Sequence, residues 1–154
     1  MSILKVYTDG ACFPNPGKGG WAWIAEDGRK WQGSEDPSTN QRMELMAAIN
    51  ALESLGGPLE IVTDSMYLVN CAGAWLVNWK RNGWRNAQGK PVKNRELIEK
   101  IDALMQGREI TFKWVRGHSG EAMNEAADKL ASAATGLAPE EIQKYQKMFH
   151  GNRL

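Results

Sequence analysis

The chain has 154 residues, 42% hydrophobic and 24% charged. That is the size and mix of one globular domain rather than a collagenous, disordered or coiled-coil chain. No apolar run approaches the about 20 residues of a membrane span, MSILKVYTDG lacks the basic segment and apolar core of a secretory leader, and two cysteines, Cys12 and Cys71, suit a reducing, cytoplasmic setting. The net charge is only +1, but Lys80, Arg81, Arg85, Lys90, Lys93 and Arg95 fall together in the acid-free stretch 75–95, leaving −5 on the remainder; a basic lobe on an acidic body offers a polyanion contact beside a cation site.

In chain order, ILKVYTD (3–9) reads as a strand ending in an acid. Residues 11–20 read as a turn-rich loop centred on Asn15-Pro16-Gly17. Residues 21–26 and 29–35 read as two strands joined by Asp27-Gly28, a hairpin signal. Pro37 to Asn40 is a helix-entry loop, and Met43, Leu45, Met46, Ala48, Ile49 and Leu52 predict an amphipathic helix over 41–55. LEIVTD (59–64) is a short buried-type strand, again ending in an acid. Ser65 caps a helix toward Cys71, and a second helix covers 75–81. Asn94 caps a helix to about Met105, 109–115 alternates like a strand, and 121–134 is an Ala-rich helix. Pro139, Glu140 and Glu141 open a last amphipathic helix carrying Ile142, Tyr145 and Phe149. Hairpin links imply antiparallel pairs and helical crossovers parallel ones. The fold expected is α/β, a mixed sheet covered by helices, with ligands at the carboxyl ends of strands.

Asp9 and Asp64 stand at two such ends, Glu44 in the first turn of the helix after the third strand, and Asp128 on the late helix among Ala126, Ala127 and Ala131. If the two strands are neighbours, the first two acids converge. Carboxylates gathered in one place raise one another's pKa, and divalent cations relieve the repulsion. An all-oxygen set favours Mg²⁺ or Mn²⁺, and two such ions suit phosphodiester cleavage. Spacing alone leaves other readings open. Asp9-Gly10 also fits a turn, Asp64-Ser65 a helix cap, Glu44 a helix-dipole partner and Asp128 solvated surface.

The ordered set TDGACFPNPGKGGWA (8–22), TNQRMELMAAINALE (39–53), TDSMYLV (63–69), the tryptophan and lysine run 75–84, KPVKN (90–94) and WVRGHSG with NEAADKLA (114–131) resembles bacterial type 1 ribonuclease H. The resemblance runs over residues 3 to about 135. It implies a ribonuclease-H-like fold: a five-stranded mixed sheet whose first three strands are antiparallel, flanked by helices. A catalytic domain would span 1–136, with the basic protrusion at about 75–95 and a helical tail over 137–154. The implied activity is endonucleolytic hydrolysis of the RNA strand of RNA–DNA hybrids by a two-metal-ion mechanism, leaving 5′-phosphate and 3′-hydroxyl ends. Asp9, Glu44, Asp64 and Asp128 fall on the family's metal-binding acids, with two Mg²⁺ per site and Mn²⁺ as a substitute. His118, in a loop between Gly117 and Gly120, falls on its histidine for proton transfer or product release.

For substrate, the resemblance carries the DNA-strand contact to Lys80, Arg81, Trp84 and Arg85. Charges suit phosphates and rings suit sugars, so Trp75 joins the set. Trp75 and Trp79 at helical spacing equally suit packing, and Trp84, beyond the helix, is the better contact. Asn15, Asn40 and Gln41 fall where the family touches the hybrid's minor groove; amides both donate to and accept from a ribose 2′-hydroxyl. Thr39 and Asn40 match a DNA-phosphate contact, and Cys12 a small contact near the RNA backbone. Gln41 stands where many relatives have a second Asn, and Met66 where some have Gln. A Walker A motif is excluded by glycine spacing and cysteine-based zinc sites by count. A DNA-processing nuclease of the same superfamily and a non-catalytic hybrid-binding module are the alternatives. The motif set argues against the first, and acids placed beside phosphate argue against the second. A monomer without membrane contact is expected, with the tail docked on the body or offered to a protein partner.

Overall fold

The computed structural model describes residues 2–117 and 121–151. The first three strands are β1 (Leu4–Phe13), β2 (Gly17–Ala25) and β3 (Lys30–Ser38), followed by α1 (Asn40–Ser54) and β4 (Leu59–Thr63). Then come α2 (Met66–Ala72), α3 (Ala74–Asn82), α4 (Arg95–Met105), β5 (Ile110–Trp114), α5 (Ala122–Ala134) and α6 (Pro139–Gly151). The sheet order is β3-β2-β1-β4-β5. β1–β2 and β2–β3 pair antiparallel, and β1–β4 and β4–β5 parallel. This is the mixed sheet that the element order predicts, with the five strands and antiparallel first three that the resemblance implies.

The central strands alternate strictly between two layers. Val6 and Ile61 join the large core under α1 and α4, while Tyr7 and Val62 pack with Ala127 of α5 on the opposite face. β1 and β4 are the inner parallel strands, and residues 6–12 and 61–63 are buried on both faces. No helix among the described residues is long and apolar enough to cross a membrane.

Residues 11–20 are not the loop that their Gly and Pro content predicts. β1 continues to Phe13 and β2 begins at Gly17, with Phe13 paired to Lys18. The glycines serve packing. A Cβ at Gly19 would meet Met43 of α1 at 2.7 Å, and one at Gly20 would collide with the backbone of α5 at Ala131. β3 likewise runs three residues beyond Glu35 to Ser38. Thr39 caps α1, its side chain accepting from the Arg42 amide at 3.2 Å. Because α1 starts at Asn40, Glu44 lies in its second turn, not its first. Asn94 precedes α4 in a left-handed conformation and makes no side-chain cap; its Nδ2 donates to the Tyr67 hydroxyl at 3.1 Å.

Candidate functional site

The parallel register of β1 and β4 pairs Tyr7 with Val62, so continuing it by two residues sets Asp9 beside Asp64. Glu44 arrives from α1 because Gly10 has no side chain: a Cβ there would lie 2.5 Å from the Glu44 amide nitrogen. Asp9, Glu44 and Asp64 each place a carboxylate oxygen within 4.8 Å of the others. Asp128 comes up beside Asp9 from α5, close enough for a carboxyl–carboxyl hydrogen bond when one is protonated. Ala127 and Ala131, both fully buried, let that helix seat closely.

Asp9 and Glu44 are 4% and 5% exposed, whereas Asp64 is half-buried. Burial, reinforced by the charges of Glu44, Asp64 and Asp128, holds the Asp9 carboxyl well above the usual carboxylate range. Glu44 is raised well above its ordinary value too, by burial first and then by Asp64, while the Gly10 amide pulls the other way. Glu44 Oε1 is buried with no hydrogen-bond partner among the described residues. A set of hard oxygen donors, with Glu44 Oε1 unpartnered, fits a divalent cation such as Mg²⁺ or Mn²⁺. Two recesses of about 400 Å³ lie elsewhere, one around Arg29 near Leu4 and Pro58 and one near Trp31 and Asn50.

The basic lobe is α3 and the loop 83–94, which closes on itself through a bridge between Arg85 and Pro91. Trp75, Trp79 and Trp84 form a ladder with ring centroids 5.8 and 6.1 Å apart, Tyr67 meets its first ring edge-on, and the Arg95 guanidinium lies 5.0 Å over its last. Arg81, Arg85, Lys90 and Lys93 stand exposed around it.

The RNase H family model matches residues 1–136. The chain belongs to the RNase H family. It is 52% identical over 149 residues to a ribonuclease H of Cereibacter sphaeroides, covering 90% of this chain and 97% of that one. To a ribonuclease H of Ruegeria it is 48% identical over 149 residues, covering 90% and 94%. A crystal structure of a type 1 RNase H with the type 2 active-site motif superposes with a TM-score of 0.77 at 29% identity, covering 87% of this chain and 72% of that one.

On this RNase H scaffold the expected substrate residues divide. Asn15 Oδ1 accepts from the Asn40 amide at 3.1 Å, bracing the β1–β2 turn on the start of α1, and Gln41 is exposed beside them. Thr39, the cap of α1, is half-buried. Cys12 is 7% exposed, with its thiol 3.2 Å from the Pro14 carbonyl and 3.3 Å from that of Ser38, so it offers substrate little beyond backbone. Trp84 is not the freer ring that its position past the helix predicts. It is half-buried like Trp79 and stacked on it, and Trp75 is the exposed one at 39%. Its φ of 63° folds it back over the helix. Lys80 is not wholly free, since its Nζ lies 3.0 Å from Asp102 Oδ2. His118 lies outside the described residues.

Sequence reasoning missed two neighbours of Asp64. Trp114 Nε1 donates to its backbone carbonyl at 3.1 Å, and Asn124 Nδ2 reaches its Oδ2 at 3.5 Å. The signal for Asn124 was its place four residues before Asp128, one turn away on the same helix face.

Proposed function

We propose that this protein hydrolyses the RNA strand of RNA–DNA hybrids endonucleolytically by a two-metal-ion mechanism, leaving 5′-phosphate and 3′-hydroxyl ends. The observation that carries the reading is the meeting of Asp9, Glu44 and Asp64 at the carboxyl end of the central strands, their oxygens within 4.8 Å of one another. Asp9, Glu44, Asp64 and Asp128 would hold two Mg²⁺ ions, with Mn²⁺ able to replace them. When bound, the cations supply the Lewis acidity that activates water and stabilises the leaving 3′-oxygen.

The residues of the chain do the rest. Asp9 and Glu44, the two buried acids, would hold the cations from β1 and α1, and Glu44 would also accept from the ribose 2′-hydroxyl, which would confine cutting to RNA. Asn15, Asn40 and Gln41 read the minor groove at the start of α1, with Thr39 and Asn40 on a DNA phosphate and the Cys12 backbone beside the RNA strand. Arg81, Arg85, Lys80 and the Trp75 face of the lobe hold the DNA strand through charge and stacking. His118 carries a proton to or from the reacting oxygens. Support for a polyanionic substrate comes from the exposed Arg81, Arg85, Lys90 and Lys93 of the lobe. Residues 1–136 are the catalytic unit. The tail 137–154 is an appendage whose Tyr145 stacks 6.4 Å from Phe13, and it docks on the body of a cytoplasmic monomer.

The test is one labelled hybrid alongside single-stranded RNA, duplex RNA and duplex DNA, each with Mg²⁺ and with chelator. Only the RNA strand of the hybrid should be cut, and only with metal. Cutting of duplex DNA, or cutting in chelator, would overturn the reading.

A further inference from the structure

Asn124 is 2% exposed on α5, and its Oδ1 has no hydrogen-bond partner among the described residues. Leaving a buried amide oxygen unpartnered costs about 1–3 kcal/mol, a cost that an alanine or leucine facing the same core would not incur. Buried polar atoms left in this state call for a reason outside the fold. The other end of the same amide points to one: Nδ2 lies 3.5 Å from Asp64 Oδ2.

Asp64 is held from several directions. Its main chain is fixed by the Trp114 indole, which donates to its carbonyl at 3.1 Å. Gly117 comes so near that a Cβ there would sit 3.0 Å from Asp64 Oδ2. With the backbone fixed, the freedom that matters is rotation of the carboxylate, and the Asn124 amide stands where it limits that rotation. A donor here stabilises the ionised carboxylate. A neutral donor does so without adding a cation that would compete with a metal for the same oxygens. Asn124 and Asp128, one turn apart, thus present an amide and a carboxylate from one face of α5.

We infer that Asn124 is a positioning residue for this reaction: its Nδ2 keeps the Asp64 carboxylate turned into the acidic cluster. This rests on the hydrolytic reading above. Groups that orient a metal-binding side chain without touching the metal are worth about 10–100-fold in metal affinity or activity.

The experiment compares wild type with Asn124→Ala and Asn124→Ser. Mn²⁺ affinity is measured calorimetrically on protein without substrate, kcat and KM on a hybrid, and Tm by thermal melting. Both variants should lose about 10–100-fold in Mn²⁺ affinity and in kcat at subsaturating metal, with KM for the hybrid and Tm close to wild type. Unchanged Mn²⁺ affinity overturns the inference, whether kcat holds or KM rises, the latter marking a substrate contact instead. Losses that track a fallen Tm, or failure of both variants to fold, assign Asn124 to the core and overturn it equally. A wild type that does not cut the hybrid brings down the underlying reading and this inference with it. An active wild type matched by both variants brings down this inference alone.

Discussion

Asp9 and Glu44 are 4% and 5% exposed on elements at the centre of the molecule, whereas Arg81 and Arg85 stand in solvent on a lobe fastened by stacked indoles. The acids are placed by strand register and by a glycine that lets a helix touch a strand. The cations are placed by side-chain stacking at the surface. Burial makes the first group few, rigid and electrostatically costly; exposure makes the second redundant and screened by salt. A change in the pocket should therefore alter chemistry with little effect on binding, and a change in the lobe should do the reverse.

The sharpest way to break that contrast is Asp9→Asn. Losing the central carboxylate removes several kcal/mol of transition-state stabilisation, so kcat should fall on the order of 10³-fold or more. Hybrid affinity, measured by anisotropy in Ca²⁺ or chelator, should persist. Full turnover would detach Asp9 from the chemistry, and abolished binding would erase the division between the regions.

The same substitution should stabilise the metal-free protein. Burial and neighbouring charge raise Asp9 and Glu44 above their ordinary range in the folded state. The stability linked to such groups is complete below the unfolded carboxylate pKa and lost as pH rises through the raised folded value. At neutral pH in chelator, wild type bears that loss and Asp9→Asn escapes part of it. Melts should show the variant with the higher Tm, the gap closing as pH falls toward the ordinary carboxylate range and as Mg²⁺ is added to wild type. A gap independent of pH and metal would mean that the acids do not repel one another.

The two regions were unequally legible in the sequence. Asp9 and Asp64 close short apolar runs, and strand ends can be read from such runs; their convergence needed only the parallel pairing that a helical crossover implies. The glycines of 17–20 misled because their reason is tertiary. Local rules read them as loop, but they are strand residues pressed by Met43 and Ala131. The lobe misled through conformation. Trp84 lies past the helix in sequence, yet a left-handed backbone returns it to Trp79. A lone Asn in an Ala-rich helix carries no local mark of burial, and only its place one turn before Asp128 pointed to Asn124.

In the lobe, Arg81→Ala with Arg85→Ala should weaken hybrid binding and flatten its salt dependence. Removing a cation that neutralises one phosphate lowers the log–log slope by about 0.7–0.9, with kcat at saturating hybrid unchanged. Lys80→Ala should do less, because its ammonium is already 3.0 Å from Asp102 and loosening that pair costs part of what the phosphate returns. Equal effects for all three cations would mean that the ion pair does not compete with substrate, and an unchanged slope would remove the lobe from the interface.

The smallest effect tests the seam between the regions. Met66 opens α2 directly after Asp64-Ser65 and is 48% exposed, so its side chain stands in solvent two residues past Asp64. A thioether is a weak acceptor and no donor. Met66→Gln adds a neutral donor and acceptor at about the same length, and one added hydrogen bond nets about 0.5–1.5 kcal/mol. KM should therefore fall a few-fold, or the cut pattern shift, while kcat and Mn²⁺ affinity hold, because the Ser65 cap on Leu68 at 3.1 Å fixes the helix start independently of residue 66. An altered kcat would place Met66 within the catalytic pocket rather than at its rim, and no change in KM or cut pattern would place the hybrid away from α2.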